Sequence, residues 1–227
     1  MDLSVYEKLL HGELNERFES FKNLLIEYNN KFNLTAITDE KDIYIKHFLD
    51  CVAGDMFFDK GVSVIEIGSG GGFPSIPLKL LRDDLKFTLV ESTGKKCGYL
   101  ETVVDKLNLS CVKVVNERAE VLGKDKNYRE KFDVATARAV ARLNILAEYC
   151  LPFVKVGGVF IAYKGDSPDE IEEAKKAFSV LGGEIEKIER YELTNGEKRT
   201  LILVRKVKKT PEKYPRGQGK ERKSPII

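Results

Sequence analysis

The residues best suited to do chemistry are one glycine-rich stretch, Gly68-Ser69-Gly70-Gly71-Gly72-Phe73-Pro74, and one acid, Glu91. Each follows a strand-like apolar run, Val62 to Ile67 before the glycines and Lys86 to Val90 before the acid. Glycines let a backbone turn sharply and come close to a ligand. The spacing is Gly-x-Gly-x-Gly. Phe73 stands where the last glycine of a dinucleotide-binding Gly-x-Gly-x-x-Gly would be, and no Gly-Lys-Ser/Thr follows as in a phosphate-binding loop. A carboxylate such as Glu91 can accept hydrogen bonds from two ribose hydroxyls, while residues 61–90 offer little to hold a pyrophosphate. A ligand with a ribose and no phosphate fits, and S-adenosylmethionine is such a molecule.

Two further strand ends point the same way. Arg118-Ala119-Glu120 follows the run 112–115, where an adenine edge would lie if the first three strands are neighbours, and Thr136-Ala137-Arg138-Ala139 follows 132–136 at the mouth of the cleft. A guanidinium at the carboxyl end of a strand suits a ligand. The same residues have plainer readings. The glycines could make an ordinary tight turn, Glu91 and Glu120 could be helix-start acids favoured by the macrodipole, and Arg138 could form a surface ion pair. His47, beside Phe48, reads as a packed or capping residue rather than a catalyst. A nicotinamide-dependent oxidoreductase also needs an acid for a ribose, but Phe73 argues against it. A non-catalytic RNA-binding module with a vestigial pocket is the third reading.

These groups need a scaffold. Residues 1–58 read as helical: Ser4-x-x-Glu7 matches a capping box, Leu14, Phe18, Phe21, Leu25, Tyr28 and Phe32 recur at helical spacing, and Asp39 can cap a further helix carrying Ile43, Tyr44, Phe48, Cys51 and Val52. From Gly61 strands alternate with helices: strands at 62–67, 86–90, 112–115, 132–136 and 158–163, helices up to Leu81 and at 94–107, 118–122 and 142–151. Ser167-Pro168-Asp169-Glu170, an N-cap, a Pro at the first helical position and a capping-box acid, starts a helix to Leu181, and strands 184–191 and 199–206 around Asn195-Gly196 form a hairpin. The pattern predicts an α/β fold, a Rossmann-like, mostly parallel seven-stranded sheet with a C-terminal antiparallel hairpin and an N-terminal helical extension. The expected organisation is a helical extension over 1–60, the sheet domain over 61–207 and a basic arm, irregular and laid on a surface, over 208–227.

The 227 residues carry a net charge of +2, which hides an uneven distribution. Residues 205–227 hold nine Lys/Arg against two acids, +7, leaving −5 on the rest, all of it within residues 1–60. A basic end suits a polyanion, although a bare charge run is also what a solvated tail looks like. Cys51, Cys97, Cys111 and Cys150 form no Cys-x-x-Cys pair and fit reduced, mostly buried thiols in a cytoplasmic protein. No apolar run is long enough to cross a bilayer and the first residues are no secretory signal, so no membrane partner is expected.

Taken in order, Tyr28-Asn29, Asn33-Leu34-Thr35-Ala36-Ile37, Lys46-His47-Phe48-Leu49-Asp50, Ile67 to Pro77, Glu91-Ser92 with Lys95-Lys96, Arg118-Ala119-Glu120, Thr136-x-Arg138-Ala139-Val140, Lys164-Gly165 and Tyr214-Pro215-Arg216 make a sequence that resembles the ribosomal RNA small-subunit methyltransferase G family, also called glucose-inhibited division protein B. Gly71 and Ser75 replace the more usual Ala and Gly of the loop, and Thr136 replaces Ser; these are small-for-small changes. The resemblance implies a class I methyltransferase fold, S-adenosylmethionine as methyl donor with S-adenosylhomocysteine as product, no metal, and N7 of one guanine in bacterial 16S ribosomal RNA as acceptor. The enzyme would act as a monomer on the RNA or the small ribosomal subunit.

On the matching positions the donor site would be Gly68, Phe73, Glu91, Ser92, Thr93, Ala119, Glu120 and Arg138. The target base and RNA would be met by Arg142, Lys164, Arg199 and Arg216, and RNA phosphates by the basic end and by Lys95 and Lys96. Guanine N7 carries a lone pair and no proton, so its methylation needs neither a general base nor a covalent nucleophile. A chain with two histidines and no evident nucleophile–base pair is consistent with that chemistry. The acidic helical front is expected to be turned away from the RNA or used in packing.

Overall fold

The computed structural model describes residues 2–12 and 14–227. Its centre is a seven-stranded sheet of order β3-β2-β1-β4-β5-β7-β6. The strands are β1 (Ser63–Ile67), β2 (Lys86–Glu91), β3 (Val112–Asn116), β4 (Phe132–Arg138), β5 (Val154–Lys164), β6 (Gly183–Glu192) and β7 (Lys198–Lys206). The first five are parallel, and β7 runs antiparallel to both β5 and β6. The expected hairpin is therefore present, turning through Asn195-Gly196. Because β1 pairs with both β2 and β4, the strand order reverses there and opens a crevice beyond the carboxyl ends of those strands.

The chain enters through α1 (Ser4–His11) and α2 (Asn15–Asn29). A third helix begins as α3 (Glu40–Asp42), runs as π-helix over Ile43–Leu49, and ends as α4 (Asp50–Val52). Asp39 caps it as expected, accepting from the Asp42 amide at 3.0 Å. The other two predicted caps fail. Ser4 lies inside α1 rather than before it and its amide donates to Asp2, and Ser167 makes no capping bond. Glu170, expected to close that second cap, instead accepts from the Leu143 amide at 2.9 Å and binds Lys164, so tertiary partners outcompete the local motif. The π turn departs from the plain amphipathic helix expected there; such turns are rare and gather at functional sites.

The frame helices are α5 (Ser75–Leu81), α6 (Gly94–Lys106), α7 (Ala119–Leu122), α8 (Leu143–Cys150) and α9 (Pro168–Leu181). The N-terminal helices pack with α5 and α6 on one face of the sheet, where Phe18, Phe21, Leu25 and Phe48 are fully buried against Val64, Leu89 and Ile161. The opposite face is covered by α8 and α9 through Leu146, Phe178 and Leu181. The last segment ends in α10 (Lys220–Lys223) and is less irregular and more buried than expected, with Thr210, Tyr214 and Glu221 inside. Cys51, Cys97 and Cys150 are buried free thiols, whereas Cys111 is exposed at the entry of β3.

Candidate active site: two cavities on either side of one turn

The glycine loop begins where β1 ends. Gly68, Gly70 and Gly72 all have positive φ, at 70°, 51° and 89°, which explains the alternate spacing. Space is also short, since a Cβ on Gly68 would meet Val140 Cγ2 at 2.7 Å. Glu91, at the end of β2, pins the loop: its Oε2 accepts from the Gly70 amide at 3.1 Å and its Oε1 from the Thr93 amide at 2.8 Å. Thr93 immediately precedes α6.

A cleft opens beside this loop, lined by Gly68, Ser92, Ala119, Glu120, Val140 and Tyr149, with Glu117, Arg118 and the late residues Gly219, Glu221 and Arg222. The strand ends that contribute are those of β1, β2 and β3, with Val140 from the turn after β4, so Gly68, Ser92, Ala119 and Glu120 come together as expected. Phe73 does not join them. Its ring is buried behind the loop, stacked on His47 at 4.2 Å and packed near Phe21.

Arg138 also lies elsewhere. The turn after β4 sends Arg138 one way and Val140 the other, with Ala139 between them at φ 57°, a left-handed conformation that costs a non-glycine residue about 1 kcal/mol or more. Arg138 lines a second cavity, of about 320 Å³, with His47, Asp50, Lys164, Ser167 and Arg199. Its guanidinium spans three acceptors on the N-terminal helix: Nε donates to Asp50 Oδ2 at 2.9 Å, Nη1 bonds His47 Nδ1 at 3.0 Å, and Nη2 donates to the Lys46 carbonyl. A protonated guanidinium can only donate, so His47 accepts at Nδ1 and its Nε2–H donates to Thr35 Oγ1 at 2.8 Å. Burial, with Arg138 and Arg199 nearby, holds His47 down at about 3, so the ring is neutral at physiological pH. The buried Asp50 also accepts from Tyr191 at 2.7 Å and faces Arg199 at 3.6 Å. The plain reading of His47 as a packed residue is thus close to what is seen.

Four of the residues expected to meet RNA are paired with a carboxylate: Arg142 with Glu173 at 2.6 Å, Lys164 with Glu170 at 2.7 Å, Arg199 with Glu197 at 2.6 Å and Arg216 with Glu148 at 2.7 Å. Lys164 and Arg199 sit at the second cavity, and Arg142 is on the exterior. Arg216 is a structural pin, gripping the 1%-exposed Glu148 through Nε and Nη2. Of the basic end, Lys206 is fully buried, donating to the Leu151 carbonyl and Thr210 Oγ1, and burial lowers it to about 8. Lys208, Lys209, Lys213, Lys220 and Lys223 are exposed and, among the described residues, pair with no carboxylate.

Two buried acids escape the sequence pattern. Glu66 is fully buried at the end of β1, neither carboxylate oxygen has a hydrogen-bond partner among the described residues, and burial pushes it up to about 8. Glu221 is 2% exposed, and its Oε2 is also without a partner. An acid inside a strand of apolar residues was the available signal for Glu66; nothing local marks Glu221, which lies in a run of lysines and arginines.

The sequence profile of the family described as rRNA small subunit methyltransferase G matches residues 14–202. The chain belongs to this family. It is 47% identical over 233 residues to the ribosomal RNA small subunit methyltransferase G of Lactobacillus acidophilus, an alignment covering 100% of this chain and 97% of that protein. It is 46% identical over 219 residues to the protein of the same name from Acetivibrio thermocellus, covering 96% and 90%. Among solved structures it resembles an O-methyltransferase from Bacillus cereus in complex with SAH, with a TM-score of 0.57 at 17% identity, covering 82% of this chain and 91% of that one. It also resembles M. jannaschii TYW2 in complex with AdoMet, with a TM-score of 0.57 at 14% identity, covering 76% and 80%. These two likenesses establish the fold, a class I methyltransferase sheet.

Proposed function

We propose that this methyltransferase of the small-subunit rRNA family moves a methyl group from S-adenosylmethionine to N7 of one guanine in 16S ribosomal RNA, by direct in-line displacement. The observation that carries the reading is the pair of cavities lined by successive residues of one turn, Val140 in the one at the glycine loop and Arg138 and Ala139 in the one among charged side chains. The donor belongs in the first. Gly68 presents backbone where a Cβ would not fit, Ala119 and Glu120 flank the adenine end, and Glu91 lies beside the loop, where its remaining lone pairs suit ribose hydroxyls. Glu91, Glu117, Glu120 and Glu221 at or near this cleft outnumber Arg118 and Arg222, a balance that matches a cation better than a diphosphate and favours a sulfonium donor over a nicotinamide dinucleotide. When bound, the donor supplies an electrophilic methyl on a sulfur that leaves as a neutral thioether.

The chain's own residues then have a positioning task. The second cavity takes the target base, with Arg138, Lys164 and Arg199 around it and neutral His47 at its wall. N7 has no proton to lose, so no residue need act as a base, and rate comes from holding the base and donor in line. Exposed Lys208, Lys209, Lys213, Lys220 and Lys223 meet RNA phosphates. The proposed enzyme acts as a monomer in the cytoplasm on the small subunit or its RNA. Incubation of unmodified small subunits with donor labelled in the methyl group, followed by cleavage at 7-methylguanine, tests this. A single labelled guanine in 16S RNA is expected; label on another atom or base, or none, contradicts it.

A further inference from the structure

The segment after β7 is anchored at three points. Arg129 donates to the carbonyls of Thr210, Pro211 and Tyr214, at 2.8, 3.2 and 2.8 Å. Glu148 of α8 holds Arg216 through both its amide and its guanidinium. Tyr149, the next residue of α8, holds Glu221: its hydroxyl accepts from Arg222 Nε at 3.3 Å and donates to Glu221 Oε1 at 2.8 Å. This relay fixes the polarity. The hydroxyl proton is committed to Oε1, and Oε2 is left as a buried acceptor with no partner among the described residues, in a side chain that lines the cleft together with Ser92, Ala119 and Glu120. Leaving such an oxygen unpaired is costly, so a ligand that donates to it gains affinity.

We propose that Glu221 is a donor-binding residue whose Oε2 accepts a hydrogen bond from the exocyclic amine of the adenine, so that the C-terminal segment forms a wall of the donor site and reads the base. The inference rests on the reading of this cleft as the adenosine site. The cleft end at Ala119 and Glu120 lies furthest along the sheet from Gly68, where the flat base of an adenosine belongs. On its outer edge adenine offers one amino donor, and a carboxylate only accepts. Adenine replaced by hypoxanthine presents an oxygen at that place and would face Oε2 with two acceptors.

The test is a pair of calorimetric titrations, with S-adenosylhomocysteine and with its 6-oxo analogue S-inosylhomocysteine, on the full-length protein and on Glu221→Gln. Tyr149 keeps its bond to the amide oxygen in the variant, so the amide NH2 takes the place of Oε2 and turns an acceptor into a donor. The unsubstituted protein should prefer the adenosyl ligand by at least about tenfold. Glu221→Gln should weaken that ligand about tenfold and strengthen the inosyl ligand, collapsing or inverting the ratio. An unchanged ratio, whether both affinities are kept or both fall together, overturns the proposal. Failure of the unsubstituted protein to bind S-adenosylhomocysteine overturns the adenosine reading itself, which the first titration registers separately.

Discussion

The helices before β1 and the segment after β7 both lie outside the strand–helix frame, and each walls one cavity, but different physics attaches them. The N-terminal helices bury a row of aromatic rings: Phe18, Phe21, Phe48 and Phe73 pack in a chain with ring centroids 5.2 to 6.4 Å apart. Charges tie them to the frame at their ends, Arg138 and Arg199 on Asp50, Lys46 on Glu197 and Arg17 on Asp83, around this apolar centre. The C-terminal segment offers few apolar side chains and is held by Arg129, Glu148 and Tyr149 through charge and backbone carbonyls. Apolar burial is non-directional and fixes a face, whereas paired charges fix individual atoms. That suits a support for a substrate cavity on one side and a base-reading wall on the other.

The largest effect should come from the charged junction of the first region. Arg138→Ala leaves the buried Asp50 without its main partner and should cost about 3–5 kcal/mol in denaturant unfolding, with activity lost. Arg138→Lys should recover little, because an ammonium cannot span Asp50, His47 and the Lys46 carbonyl together. A loss under about 1 kcal/mol would show that the Arg138 junction does not hold the N-terminal helices.

Next comes a titration on the same face of the sheet. Glu66 has a folded pKa of about 8 against an ordinary 4.5, so the folded state binds the extra proton between those values. Glu66's contribution to stability is therefore fully present below pH 4.5 and is lost as pH rises through about 8. Glu66→Gln removes this slope, and its stability relative to the parent should rise by on the order of 3 kcal/mol between pH 5 and pH 9. Parallel pH profiles would mean that Glu66 has partners beyond those described.

The C-terminal attachment should be cheaper to break and more specific in its consequence. Arg216→Ala is expected to cost about 2 kcal/mol and to weaken S-adenosylhomocysteine binding, because the wall that carries Glu221 loses an anchor. If instead RNA affinity falls and donor affinity holds, Arg216 faces RNA and the Glu148 pair is dispensable. The smallest effect on the fold should come from Lys208→Ala, Lys209→Ala and Lys213→Ala together. Stability should change by less than about 0.5 kcal/mol, while the salt dependence of RNA binding becomes shallower by about 0.7 for each phosphate that the lysines no longer neutralise. An unchanged salt slope would remove these lysines from the RNA interface.

Much of this could be read along the chain because it is local. Gly68, Gly70 and Gly72 are glycines for a conformation each residue adopts by itself, and the seven strands announce themselves by apolar runs and by Asn195-Gly196. What escaped is the pairing of residues far apart. Arg138 and Asp50 are 88 positions apart, Arg216 and Glu148 are 68, and Tyr149 and Glu221 are 72. A count of nine basic residues over 205–227 reads as one charged arm, yet Lys206 is buried and Arg205 and Arg216 are bound to acids. Family resemblance placed Phe73 and Arg138 with the donor loop, and they are indeed next to it, but on the side of the N-terminal helices.

Hydrogen exchange with and without S-adenosylhomocysteine tests the division of labour between the two regions most directly. Added protection is expected at 68–72, 91–93, 117–120 and 217–223, with little change over 40–52. Protection concentrated in the helix carrying His47 and Asp50, with 217–223 unchanged, would contradict it.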